Sequence, residues 1–219
     1  MDDTSSSRPV TDRCGIIGGS SLGNFYSDSP WSCLRKLAYQ FLGYKPSHER
    51  YYNDAMRKGH IYEPDLRDWF SEDKNVRCVE GDFVRHPEDP FLGGHPDGVF
   101  GEDGIIEIKT ASPGSFANLR NKGMYESYKD QLTLYMAITE RYSNAWFVVG
   151  NPEEIATKRF MVRFPWDQER YDNIIKKTLD FVMAIEYELP ERCGKNKKGL
   201  IDACRNCEFR GLCSPQSLC

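Results

Sequence analysis

The 219-residue sequence predicts an α/β fold, a mixed central sheet flanked by helices, with a cysteine-rich segment at its C-terminal end. Three observations point there. Short β-rich runs alternate with longer stretches of helical period. A composition of 39% hydrophobic and 13% aromatic residues can build a core, which excludes global disorder. The eight cysteines crowd toward the C-terminus of a chain whose polar first residues carry no apolar secretion signal. That argues for metal or cluster ligation over a disulfide framework.

The same quantities set limits. No apolar run reaches the roughly 18 residues of a membrane span, so no membrane association and a cytoplasmic location are expected. A net charge of −4 argues against a protein that coats DNA by charge alone. It leaves room for a nuclease whose acidic centre attracts metal and whose basic contacts are local.

Residues 1–12 read as a flexible tail, 13–190 as the core domain and 191–219 as the cysteine segment. Arg13-Cys14-Gly15-Ile16-Ile17-Gly18-Gly19-Ser20-Ser21 places small residues and hydroxyls before an expected helix. Such a turn could cradle a phosphate with backbone N–H groups, or be an ordinary Gly/Ser turn. Residues 31–44 have a helical period, closed by Gly43 and Pro46. Residues 48–70 read as a longer helix with a break or kink near Glu63, ahead of Pro64. Residues 76–84 read as one strand.

The centre of the chain is 93–110, Gly-Gly-His-Pro-Asp-Gly-Val-Phe-Gly-Glu-Asp-Gly-Ile-Ile-Glu-Ile-Lys-Thr. Asp97 sits in a Gly/Pro turn, and a second turn at Gly101–Gly104 leads into Ile105-Ile106-Glu107-Ile108-Lys109. At period two, Glu107 and Lys109 share one face while Ile106 and Ile108 share the other. Two adjacent strands would then bring Asp97, Glu107 and Lys109 to one point. Paired carboxylates bind a hard divalent cation through oxygen. Such an ion acidifies its water and stabilises phosphoryl charge. A lysine there can orient that water, and a desolvated ammonium beside a cation is expected to have a lowered pKa. Read alone, D-x₉-E-x-K also describes a surface hairpin with scattered charges.

Residues 112–122 read as a polar loop whose Arg120 and Lys122 could touch DNA or simply be solvated. Residues 126–142 form the next helix, with Gln131 and Tyr135 one turn apart on one face. Residues 144–149 and 159–164 read as strands. Residues 166–188 read as an amphipathic helix with apolar positions 171, 174, 175, 179, 182 and 185. In the tail, Cys204-x₂-Cys207-x₅-Cys213 suits a single metal centre. The fourth ligand could be Cys193, Cys219 or the distant Cys33, and spacing alone does not separate zinc from iron–sulfur.

Pro96-Asp97 with Glu107-Ile108-Lys109 resembles the core of the PD-(D/E)XK nuclease superfamily, which implies a restriction-endonuclease-like fold. R-x-G-x-I-x-x-S, Gly59-x₃-Glu63 and Gln131-x₃-Tyr135 resemble the lambda-type viral recombinase exonucleases. That resemblance implies substrate phosphate contacts at Arg13 and Ser20. It implies Mg²⁺ or Mn²⁺ held by Glu63, Asp97, Glu107 and the Ile108 carbonyl. Lys109 would act on the attacking water, and Gln131 and Tyr135 would support the site. His60 is the rival of Glu63, and a solvated helix face is the plain reading of both.

The tail cysteines resemble those of RecB-type and CRISPR-associated iron–sulfur exonucleases. They imply a [4Fe–4S] cluster on Cys33, Cys204, Cys207 and Cys213, with zinc as the alternative occupant. The implied activity is a metal-dependent DNA exonuclease, 5′→3′, in phage-type recombination or repair. Implied partners are DNA, a single-strand annealing or recombination protein, and further copies of the chain. Two alternatives stand beside it: a catalytically silent DNA-end-binding module, and a zinc-stapled nuclease with endonuclease activity.

Overall fold

The structure, a computed structural model, describes residues 14–26, 32–47, 54–191 and 207–213. A five-stranded sheet carries the fold. Its strands are β2 (Cys78–Val79), β5 (Gly98–Phe100), β6 (Gly104–Thr110), β7 (Asn144–Gly150) and β8 (Arg159–Phe164), in the order β2-β5-β6-β7-β8. Within this sheet β6 and β7 run parallel, from Gly104↔Asn144 to Thr110↔Gly150, and the other pairs are antiparallel. A parallel pair needs a long crossover, which α3 (Pro113–Lys122) and α4 (Glu126–Thr139) supply. A three-stranded sheet, β1 (Ile17–Gly18), β4 (Leu92–Gly94) and β3 (Val84–Arg85), lies in the order β1-β4-β3.

Strand alternation divides the core. Ile106 and Ile108 pack with Leu66, Phe70 and Val148, under α2 (Asp54–Lys74). Ile105, Phe147 and Val149 pack on the other face with Leu132, Tyr135 and Met136 of α4 and with Ile174 and Phe181 of α5 (Gln168–Ile185). Pro64 lies inside α2, which runs on through it, so of the expected break or kink the break does not occur. The lost hydrogen bond costs about 3 kcal/mol. Burial of Leu66 and Phe70, one turn apart and both at 0% exposure, offsets it at roughly 1.5–3 kcal/mol each.

Three further expectations are corrected. Residues 76–84 are two separate strands, β2 and β3, in different sheets. Residues 113–122 are a helix, started by Pro113 in its first turn and ended by Gly123 at φ +86°, a backbone conformation glycine adopts at no steric cost. The buried stripe of α5 is Ile174, Thr178, Phe181 and Ile185, while Leu179 is exposed. The hydroxyl of Thr178 fits that stripe because it donates back to the Ile174 carbonyl at 2.8 Å.

The short α1 (Leu34–Phe41) presents Leu37, Ala38 and Tyr39 inward. The segment 207–213, which ends in α6 (Arg210–Cys213), docks against it. Among the described residues, no helix is long and apolar enough to cross a membrane.

Candidate active site

The site forms where the two sheets meet. The chain leaves β4 of the small sheet at Gly94, turns through His95-Pro96-Asp97 and enters β5 of the large one. The antiparallel register ends at Gly98↔Ile106. The next step places Asp97 beside Glu107, and the Asp97 carboxylate caps the β6 edge by accepting the Ile108 N–H at 2.7 Å.

Glu107 has no exposed surface. Its Oε1 accepts a short hydrogen bond from Lys109 Nζ, while its Oε2 has no partner. Leaving a buried oxygen unpaired costs about 1–3 kcal/mol, and more for a charged group. Burial, reinforced by the neighbouring Asp97 charge, pushes the Glu107 carboxyl well above the usual range, against the opposing pull of Lys109. Burial alone would lower the Lys109 ammonium. The charges of Glu107 and Asp97 outweigh it and hold the pKa above its ordinary value. The lowering expected beside a cation is a separate case: the direction here is set by the two carboxylates beside the amine. Its side chain remains 26% exposed, and the Tyr128 ring lies 5.5 Å away.

Glu63 approaches from α2. Burial and then the Asp97 charge push its carboxyl up to about 7, with Arg67 working in the other direction. Its Oε1 accepts from Arg67 Nη2 at 2.7 Å, and Arg67 Nε donates to the Asp97 carbonyl at 2.8 Å. Glu63 therefore belongs to the Asp97 side of the site. A Cβ on Gly59 would meet Thr110 Oγ1 at 3.4 Å, so the glycine brings this turn of helix close to the end of β6. His60 is exposed. Among the described residues, no three His, Cys, Asp or Glu side chains stand together as a formed metal cage.

Gln131 and Tyr135 are buried on α4, and Gln131 Nε2 donates to Tyr135 Oη at 3.1 Å. Burial, together with the nearby Glu107 and Asp97 charges, raises the Tyr135 phenol, so the pair borders the carboxylates. Its pocket needs glycines. A Cβ on Gly94 would come within 2.6 Å of the Tyr135 ring, and one on Gly19 within 2.7 Å. Gly19 opens the 3₁₀ segment Gly19–Phe25. That segment also carries Ser20, which is exposed. Arg13 lies outside the described residues.

Three contributors escape a reading of the sequence. Arg67 bridges Glu63 and Asp97, and its only local signal is the i, i+4 spacing to Glu63. Tyr128 stacks between Lys109 and Phe147. Asp130 is buried and accepts hydrogen bonds from Tyr26 at 2.5 Å and from Arg170 at 2.6 Å. It ties the first turns of α4, and thereby Gln131, to α5.

At the other end of the molecule, Cys33 is buried and caps α1, its Sγ accepting the Lys36 N–H at 3.4 Å. Glu208 anchors the tail. Its carboxylate meets Gln40 at 3.0 Å and Lys36 at 3.1 Å, and its carbonyl accepts from Ser47 N at 2.9 Å. Tyr39 stacks on Phe209 at 5.5 Å. Burial raises the Cys207 thiol, and Cys33 lies near enough to add to the shift. Cys193, Cys204 and Cys219 lie outside the described residues.

The alkaline exonuclease LHK-Exo from Laribacter hongkongensis is similar in fold: 23% identical, TM-score 0.67, covering 81% of this chain and 91% of that one. Its complex with dAMP gives 23%, 0.68, 82% and 92%. A phage-related exonuclease from Haemophilus somnus 129PT is 17% identical, with a TM-score of 0.59 over 78% of this chain and 93% of that one. At these identities the likeness establishes the fold. No curated protein sequence matches significantly. Residues 10–142 match the YqaJ-like viral recombinase domain, a span that takes in Ser20, Glu63, Asp97, Glu107, Lys109, Gln131 and Tyr135 and more than half of the chain, which therefore belongs to the YqaJ-like viral recombinase family.

Proposed function

We propose that the protein is a divalent-metal-dependent DNA exonuclease of phage-type recombination, degrading strands 5′→3′. The observation that carries the reading is the meeting of Asp97, Glu107 and Lys109 at the sheet junction, with one oxygen of the fully buried Glu107 left unpaired. A buried carboxylate with an unused oxygen, beside a second carboxylate, suits a hard cation better than it suits a folding role. Glu63, Asp97 and Glu107 would hold Mg²⁺ or Mn²⁺. The Ile108 carbonyl would join them, because in an extended strand it faces the same edge as the N–H that Asp97 accepts. When bound, the ion makes a ligated water more acidic and offsets charge on phosphate oxygens.

The chain's own groups supply the rest. Lys109, held charged by its carboxylates, donates to the attacking water or to a phosphate oxygen, and Tyr128 limits where its ammonium can swing. Gln131 presents an amide whose position is fixed by Tyr135. Ser20, on an exposed turn, and Arg13 are proposed to meet phosphates of the DNA strand. The fold neighbours are exonucleases, one with dAMP bound, which agrees with a DNA substrate.

We further propose that Cys33, Cys204, Cys207 and Cys213 hold a [4Fe–4S] cluster, with zinc the alternative. The closeness of Cys33 and Cys207 across 173 intervening residues supports this reading. The docking of segment 207–213 on α1 by Glu208 and Phe209 also supports it. Iron, acid-labile sulfide and zinc analysis of anaerobically purified protein, beside a Cys33→Ser variant, decides between the two metals.

An end-labelled duplex, with and without a 5′-phosphate, digested in Mn²⁺ and then in chelator, tests the activity. Mononucleotides released from the 5′ end only in Mn²⁺ are expected. DNA binding without product across the metal titration would favour the silent end-binding module. Internal cuts would favour an endonuclease.

A further inference from the structure

Arg67 touches both segments that deliver the outer carboxylates. Its Nη2 donates to Glu63 Oε1 at 2.7 Å and its Nε donates to the Asp97 carbonyl at 2.8 Å. Its side chain is only 11% exposed. The two contacts join α2 to the β4–β5 turn, 30 residues apart in sequence. An exposed i, i+4 ion pair holds little. This one is mostly buried and carries a second bond to backbone.

We infer that Arg67 is the positioning residue of the metal centre, a two-point brace that fixes the Asp97 backbone and one oxygen of Glu63 so that both carboxylates meet a divalent cation without reorganising. The inference rests on the metal-dependent reading above. A planar guanidinium suits the role because its fork fixes two acceptors at a set angle, which an ammonium cannot do. The positive charge of Arg67 works against a nearby cation, so its contribution is geometric. By engaging Oε1 of Glu63 it leaves the other oxygen available. By engaging the Asp97 carbonyl it fixes the turn from which that carboxylate projects. Removing groups that orient metal ligands lowers metal affinity by about 10–100-fold.

Calorimetric Mn²⁺ titration without DNA tests this on the full chain, with wild type, Arg67→Gln, Arg67→Lys and Asp97→Ala. Degradation rates are then measured across Mn²⁺ concentration. Wild type is expected to bind Mn²⁺ at a site that Asp97→Ala removes. Arg67→Gln is expected to bind it about 10–100-fold more weakly, with the rate at saturating Mn²⁺ close to wild type. Arg67→Lys, which keeps the charge but not the fork, should fall between them and covers the case in which the glutamine variant fails to fold. A merely structural arginine would lower the melting temperature without separating metal affinity from saturated rate. Equal or tighter Mn²⁺ binding by both arginine variants would overturn the inference while leaving the site in place. Equal binding by wild type and Asp97→Ala would overturn the metal-centre reading itself, and the brace with it.

Discussion

The carboxylate site and the cysteine end of the molecule are built in opposite ways. At the site, regular structure does the placing: strand alternation sets Glu107 and Lys109 together, and antiparallel register brings Asp97 opposite. At the cysteine end, single side chains do it. Glu208 reaches Lys36, Gln40 and Ser47 across more than 160 residues. Residues fixed by secondary structure hold chemistry in place even against unfavourable burial, as with Glu107. The docked end is held instead by a few polar contacts and the buried Phe209 ring, outside the sheet.

The largest expected effect breaks the site and spares the fold. Asp97→Ala or Lys109→Ala should reduce DNA degradation by about 10³-fold or more, several kcal/mol of barrier. Thermal unfolding should fall far less than the rate: Lys109→Ala leaves Glu107 Oε1 unpaired and Asp97→Ala leaves the Ile108 N–H unpaired, about 1–3 kcal/mol each. A parallel loss of rate and melting temperature would make these residues structural instead.

Breaking the other region should give the reverse pattern. Glu208→Ala removes the charge-assisted contacts to Gln40 and Lys36 and should cost about 1–3 kcal/mol. Limited proteolysis should cut first near residues 207–213, and the degradation rate should stay within a few-fold. A collapse of activity would mean that the docked tail shapes the catalytic centre.

A pH experiment without metal sharpens the contrast. Glu63 has its folded pKa raised from 4.5 to about 7. The stability this contributes is fully present below pH 4.5 and is lost as pH rises through about 7, on the order of 1–3 kcal/mol. Denaturant unfolding of wild type against Glu63→Gln should diverge across that window and run parallel outside it. Identical pH profiles would mean that Glu63 ionises as a solvated acid, away from Asp97.

The smallest effect is expected at Tyr135→Phe. Losing the hydrogen bond from Gln131 costs about 0.5–1.5 kcal/mol, read as roughly a tenfold or smaller fall in rate. A larger fall would give the phenol a direct role with substrate.

The legibility of these features follows the same division. Glu107, Lys109, Gln131 and Tyr135 sit on elements whose period is written in the sequence, so the faces they share could be read from spacing, and Asp97 was marked by the Gly/Pro turn before β5. The strands 144–150 and 159–164 and the helix 168–185 were legible for that reason too. Residues 113–122 misled because a polar surface helix carries little apolar period, and only Pro113 marks its start. Residues 76–84 misled because two two-residue strands in different sheets look like one alternating run. Arg67, Tyr128, Asp130 and Glu208 act through contacts between distant segments, which local pattern does not encode.

The most direct measurement is the position of Mn²⁺ in crystals of the protein, located by its anomalous scattering. The expected result is a peak between Asp97 and Glu107, with carboxylate oxygens from both at about 2.0–2.2 Å as for a small octahedral cation and Lys109 turned from Glu107 toward solvent. A peak elsewhere, or none, with the Lys109–Glu107 contact intact at saturating Mn²⁺, would contradict it.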